Sequence, residues 1–417
     1  RNDKFYLPSY IFEGAGTKGT ANLGNLENQA WLNENTLTYN KSFGKHDLNV
    51  LLGFTQQESR TNLFNAGASS FVTDELLYNS LQSGSVLIRP NSDAYDWVLH
   101  SLLSRVNYNY ASKYYVSASI RRDGSSRFGS ANKWGNFPSL AFSWRASKED
   151  FFAGLLPTIN DLKVRASYGA TGNQEIGQYQ SLATLYALNY YFGNAVQTGF
   201  ASQRVPNTEL GWETTYQYDA GIDLAFLQNR IQLSADYYYK RTKDLLLSVE
   251  IPWTSGYATS LQNFGSVSNK GVELSLKSKN IQGAFNWDSD FNISFNRNKV
   301  LSIGDGSDRY ISGNYLIAVG KPLGTFYGTV TDGILQLGEE PTKGIYTGNA
   351  SPKAGDRLYK DIDGDGKFTT ANDRAIIGNA QPDFIFGFSN NLSYQGFDLS
   401  FLIQGTVGNQ ILNINRQ

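Results

Sequence analysis

Residues 231–239 read Ile-Gln-Leu-Ser-Ala-Asp-Tyr-Tyr-Tyr, with Ile231, Leu233, Ala235, Tyr237 and Tyr239 at every second position and Gln232, Ser234, Asp236 and Tyr238 between them. Side chains on a β-strand point alternately to its two faces, so this period of two builds one apolar and one mainly polar face. The pattern recurs outward from this stretch. Val272, Leu274 and Leu276 alternate with Glu273, Ser275 and Lys277; Phe291, Ile293 and Phe295 with Asn292, Ser294 and Asn296; Leu162, Val164, Ala166 and Tyr168 with Lys163, Arg165 and Ser167. Near the end, Phe397, Leu399, Phe401 and Ile403 interleave with Asp398, Ser400, Leu402 and Gln404. No segment shows the helical period as clearly, so the chain reads as all-β.

Twelve strands are predicted, at 30–43, 46–59, 97–110, 113–122, 136–147, 160–170, 212–226, 230–246, 266–279, 284–298, 384–394 and 397–406. The connections between them alternate in length. Gly44-Lys45, Ala111-Ser112, Gln228-Asn229, Ile281-Gln282-Gly283 and Gln395-Gly396 supply tight-turn chemistry. The intervening connections are longer, the longest being 299–383, and only 123–135 and 148–159 are nearly equal. Tight turns therefore gather on one rim and long loops on the other. A tilted membrane strand needs about 9–11 residues, and most of these strands have ten or more. The pattern describes a transmembrane antiparallel up-and-down β-barrel. A soluble sandwich has no reason to sort its loops by side.

Composition agrees. The 417 residues include 26 Tyr, 25 Phe and 7 Trp, 14% aromatic, although hydrophobic residues together reach only 40%. Tyr and Trp place a ring in lipid and a polar atom among headgroups, and barrels carry girdles of them. Tyr108, Tyr110, Tyr114 and Tyr115 flank one turn in this way. A net charge of -1 without a basic patch argues against nucleic acid as a partner. Cysteine is absent, which excludes disulfides and thiolate sites. The two histidines, His46 and His100, read as solvated. No apolar run approaches the ~20 residues of a spanning helix. Gly14-Ala15-Gly16 lacks the strand-then-helix setting of a nucleotide fingerprint, and no carboxylate pair is singled out by spacing, so no enzymatic activity is expected.

Several phrases carry a family resemblance: Leu37 to His46; Ser268 to Leu274; Gly324-Thr325-Phe326-Tyr327-Gly328 with Thr331-Asp332-Gly333-Ile334; and the run from Gly355 to Asn409. In these the chain resembles the SusC/RagA-type TonB-dependent transporters of the Gram-negative outer membrane. The resemblance implies a 22-stranded barrel, of which twelve strands are an incomplete set, filled by an N-terminal plug and capped by a SusD-like surface lipoprotein. It further implies import of an oligosaccharide or peptide driven by TonB through the plug, in a multi-pass protein surrounded by outer-membrane lipid. No TonB-box segment, plug domain or signal peptide is recognised, and 411–417 lacks the terminal aromatic strand of such barrels. Residues 1–417 are accordingly expected to be part of a single barrel domain in a longer polypeptide.

Asp361-x-Asp363-x-Asp365-Gly366 sets three carboxylates on alternate positions before a glycine, the first half of an EF-hand-type calcium loop. Lys367 offers its carbonyl at position 7 and Thr369 stands at position 9. Position 12 is Asn372, with Asp373 one residue later. Asp361, Asp363, Asp365, Lys367, Thr369 and Asp373 are the candidate ligands for a structural Ca2+, against the alternative of a solvated turn. In the loop 171–211, Tyr186, Tyr190, Tyr191 and Phe192 are candidates for stacking on substrate. Arg121 to Gly129 matches another family phrase and reads either as pore-mouth lining or as a solvated hairpin tip. A passive porin or surface adhesin is the alternative function, and an energy-coupling plug in the full gene product would discriminate.

Overall fold

The computed structural model describes residues 1–155, 158–193, 195–304, 306, 308–339 and 353–413. One open sheet of thirteen antiparallel strands dominates it. In order these are Asn2–Leu7, Thr20–Phe43, His46–Phe71, Gly84–Tyr110, Tyr114–Ser125, Trp134–Arg145, Ile159–Asn173, Glu213–Phe226, Ile231–Lys243, Ser266–Ile281, Phe285–Ser302, Phe384–Tyr394 and Phe397–Val407. Each pairs with its neighbours in sequence, the up-and-down order expected. All twelve predicted strands are present, and Asn2–Leu7 adds a thirteenth beside the outer end of Thr20–Phe43.

Register turns the alternation of single strands into continuous faces. One row of partners runs Leu48, Tyr108, Val116, Phe142, Ala166, Ala220, Tyr237, Val272, Phe295, apolar or aromatic throughout. The residues one step along each strand give the opposite face: Asn49, Asn107, Ser117, Ala141, Ser167, Asp219, Tyr238, Gly271, Asn296. A one-residue slip in any pair would exchange the faces, which is why register is so strongly specified. The apolar face is uncovered. Leu52, Leu140, Phe142, Tyr237 and Leu399 are all exposed, so this surface meets solvent of its own polarity rather than a second layer of sheet. No helix among the described residues is long and apolar enough to cross a membrane.

Another row starts at the tight-turn rim with Tyr110, Tyr114 and Trp144, continues through Val164, Ile222, Ala235, Leu274 and Ile293, and ends at Phe386, near the loop-rim end of its strand. Such drift is the stagger that strand tilt imposes on a barrel wall. The turns on this rim take the left-handed backbone that short hairpins need: φ is +61° at Gly44, +53° at both Ala111 and Ser112, and +86° at Gly396.

Three expectations are corrected. The connection 60–96 is mostly strand, because His46–Phe71 and Gly84–Tyr110 continue past the predicted ends and pair as far as Phe71 and Gly84. Ala-, Gly- and Asn-rich residues such as 65–70 lack the alternation that would reveal them. The long loops also hold strands of their own. Leu185–Phe192 pairs with Ala195–Ser202, and Leu246–Glu250 with Thr259–Asn263. Within 303–383 lie a four-stranded sheet (Arg309–Ser312, Tyr315–Ala318, Thr325–Gly328, Ala375–Asn379) and the pair Thr331–Ile334 with Arg357–Tyr359. Neither histidine is simply solvated. His46 stacks on Phe43 at 4.9 Å and meets the Tyr108 hydroxyl at 2.7 Å. His100 shares the apolar face with Leu102, beside Phe54, and its Nε2 is buried without a hydrogen-bond partner. Of the terminal segment 411–417, residues 414–417 lie outside the described residues.

Candidate functional site

The polar face is a hydrogen-bonded wall. Asn49 donates to Asn40 at 2.5 Å, Asn107 to Asn49 at 3.0 Å, and Ser117 to Asn107 at 2.7 Å, a ladder across four strands. Further round, Arg165 donates to both oxygens of Asp223, at 2.8 and 2.9 Å, and reaches Asp236 on the next strand at 3.0 Å. Ser234 adds a bond to Asp223 at 2.7 Å. Side chains bonded to one another around the wall leave it smooth and wettable, suited to the aqueous interior of a large barrel.

The loop rim carries the rest. Arg127 is 8% exposed. Its Nη1 donates to the carbonyls of Gln174 and Ile176, at 3.2 and 2.9 Å, and its guanidinium lies 4.8 Å over the Trp97 ring. Phe128 beside it is buried against Trp212, with Leu210 and Phe137 also buried. The phrase Arg121 to Gly129 is thus neither a solvated tip nor simple mouth lining: Asp123, Ser125, Arg127 and Phe128 are buried, and Arg127 and Phe128 tie the base of the long loop 174–212 to the wall. Signals for this lay in the sequence only as an Arg-Phe pair, whose partners come from 30 to 84 residues away.

From that base rises the hairpin Leu185–Phe192 with Ala195–Ser202. Period two puts Tyr186, Leu188, Tyr190 and Phe192 on one face, opposite the small or slender Ala201, Gly199, Gln197 and Ala195. Tyr191 points to the other face with Leu185 and Phe200. The structure therefore groups three of the four candidate stacking residues and separates Tyr191. All four are exposed, and Phe192 is 74% so. The Tyr190 ring lies over Gly199, where an added Cβ would come within 3.1 Å of it. Residues 185–202 contain no charged side chain.

The acidic loop joins Arg357–Tyr359 to Ala375–Asn379, and so links two of the small sheets. Carboxylate oxygens of Asp361, Asp363 and Asp373 lie within 4.8 Å of one another. Two ligands about 2.3–2.6 Å from one Ca2+ are separated by no more than about 5 Å, so this group fits a shared ion. Asp373 is buried, and the amides of Thr369 and Ile362 bond to its two oxygens at 2.6 and 2.7 Å. Those amides hold its carboxyl below the usual carboxylate range. Asp365 stands outside the group, its carboxylate accepting from the Lys367 amide at 2.7 Å, while Thr369 Oγ1 accepts from the Asn372 amide.

Comparison with known proteins completes the picture. The family described as TonB dependent receptor-like, beta-barrel, matches residues 2–372. TonB-dependent receptor P3 of Formosa agariphila is 41% identical over 418 residues, covering 98% of this chain and 42% of that protein. TonB-dependent receptor SusC of Bacteroides thetaiotaomicron is 31% identical over 396 residues, covering 89% of this chain and 37% of SusC. Among solved structures, the RagAB peptide transporter aligns with a TM-score of 0.79 at 27% identity, over 94% of this chain and 42% of that one. The chain spans about two fifths of the length of the relatives it matches. A two-faced tilted sheet, loops sorted to one rim and this family match lead to one conclusion: the chain belongs to the TonB-dependent receptor-like β-barrels, outer-membrane proteins of the SusC/RagA type.

Proposed function

We propose that the chain forms barrel wall and outer loops of a TonB-dependent importer that carries a nutrient, an oligosaccharide or a peptide, across the outer membrane. In this reading a SusD-like lipoprotein closes over the loop rim, and TonB acts through a plug held against the polar wall. The observation that carries it is the charge-free ring-bearing hairpin at the loop rim, standing above a hydrogen-bonded polar wall. Tyr186, Tyr190 and Phe192 on one face offer flat apolar surface to a ligand with rings of its own, and the absence of charge favours a neutral one. The test is uptake of labelled oligosaccharides and labelled peptides by cells carrying the full-length receptor, with and without TonB. Replacing Tyr186, Tyr190 and Phe192 together by Ala is expected to abolish uptake of the cognate class, and Tyr191→Ala to spare it. Uptake that persists without TonB would instead establish a passive pore.

We also propose that Asp361, Asp363 and Asp373 hold a Ca2+ whose role is structural. The ion would supply positive charge beside the buried Asp373 and fix the two small sheets relative to each other; millimolar extracellular calcium suffices for a weak site of this kind. Calcium-dependent protection of 353–383 from protease, lost in Asp361→Asn and Asp373→Asn, is the measurement.

A further inference from the structure

The tight-turn rim has one connection out of keeping with the others. Residues 146–158 link Trp134–Arg145 to Ile159–Asn173, where every other connection on that rim has two to four residues. A longer connection there needs a reason. Most of it is folded into two short 3-10 turns, Ala146–Lys148 and Asp150–Leu155, with Ala146, Ser147 and Phe152 buried. Phe151 and Leu155 are left exposed, Phe151 at 71%.

The position of Phe151 is fixed by its neighbour. Trp144 stands on the apolar outer face, in register with Tyr114 and Val164, and the Phe151 ring lies 6.3 Å from the Trp144 ring. Phe151 therefore extends the lipid-facing surface past the end of the strands, while on the other side of the turn the Ser147 hydroxyl donates to Asp161 of the polar face. Glu149 braces the turn. Its Oε1 accepts from the Tyr114 hydroxyl at 2.6 Å and from Trp144 Nε1 at 3.2 Å, while its Oε2 pairs with Lys113 Nζ at 2.8 Å. One carboxylate thus ties two girdle rings and a turn lysine together, and Lys148 next to it is exposed.

We infer that the turn segment 146–155 is an interfacial anchor: Phe151, with Trp144 and Tyr114 behind it, seats in the phospholipid interface on the tight-turn side of the outer membrane. Rings at this level gain from burial of their apolar surface while the indole N–H and phenol O–H keep polar partners. Continuity with the lipid-facing belt selects lipid as the occupant over a protein, since a protein partner on this face would have to displace bilayer. The inference concerns how the wall sits in the membrane and is independent of what the barrel carries.

The chain has no cysteine, so a single introduced cysteine gives one labelling position in it. The full-length receptor, with any cysteine elsewhere replaced, is reconstituted into phosphatidylcholine bilayers carrying a nitroxide at Phe151→Cys. Power saturation with oxygen and with Ni-EDDA then reports depth. The label at 151 is expected to lie between a label at Leu140→Cys, in the belt, and one at Trp253→Cys, on the loop rim. Ni-EDDA accessibility at 151 equal to that at 253 would overturn the inference. Should Phe151→Cys fail to fold, Leu155→Cys serves with the same two outcomes. Adding Glu149→Ala is expected to raise accessibility at 151 at least twofold, and no change would remove Glu149 from the account.

Discussion

Arg165 Nε donates to Asp223 Oδ2 at 2.8 Å and Arg165 Nη2 to Asp223 Oδ1 at 2.9 Å, a two-point bond between neighbouring strands on the polar face. The same guanidinium reaches Asp236 one strand further on. Arg165→Ala leaves Asp223 and Asp236 without it. Because all three are about a third exposed, water screens much of the loss, and the expected cost is on the order of 1 kcal/mol. Urea unfolding of the bilayer-inserted receptor measures it, and Asp223→Asn in the Arg165→Ala background should cost little more.

The two faces make opposite predictions for one substitution. Leu274→Arg places a charge in the lipid-facing row and is expected to cost about 2–4 kcal/mol near the bilayer midplane. Ser275→Arg, one residue along and on the polar face, should cost less than about 1 kcal/mol. Equal costs in a folding titration into phospholipid vesicles would reverse the assignment of inside and outside.

Arg127 holds the base of the outer loop through two carbonyls and the Trp97 ring. Arg127→Ala removes the donor to the half-buried Ile176 carbonyl and one of the two donors to that of Gln174, which keeps the Ile176 amide, at about 1–3 kcal/mol. Amide hydrogen exchange should speed up in 174–212 and leave 266–302 unchanged.

Glu149 has its pKa lowered to about 2 by hydrogen bonds from Lys113, Tyr114 and Trp144. A depressed carboxyl contributes stability fully above its unfolded value, near 4.5, and loses it as pH falls toward 2. Near-ultraviolet circular dichroism of the rim aromatics is expected to hold from pH 7 down to pH 4 and to change only below about pH 3, and Glu149→Gln should remove that acid transition.

Asp373 follows the same sign. Its carboxyl is held below the usual range by backbone amides, so with calcium present protease protection of the acidic loop should persist as pH falls to 5 and fail only at more acid pH. Asp365→Asn, outside the carboxylate group, is expected to leave calcium-dependent protection intact, whereas Asp361→Asn abolishes it.

The amino-acid sequence alone determined twelve of the thirteen wall strands, their order, the sorting of loops and the outward-facing apolar side, because all of these follow from a period of two and from turn residues such as Gly44 and Gly396, which act locally. The family too was legible in local phrases. Tertiary structure decided what depends on partners far along the chain. The strand ends at 60–71 and 84–96 form because each pairs with the other, with no alternation of their own to announce them. Phe128 became core because Leu210 and Trp212 arrive from another loop. Tyr191 parted from Tyr190 once the hairpin gave them opposite faces, and Asp361, Asp363 and Asp373 converged while Asp365 turned to its own backbone. In each case the deciding quantity is a distance across the fold, set by register and loop closure, and a linear pattern does not contain it.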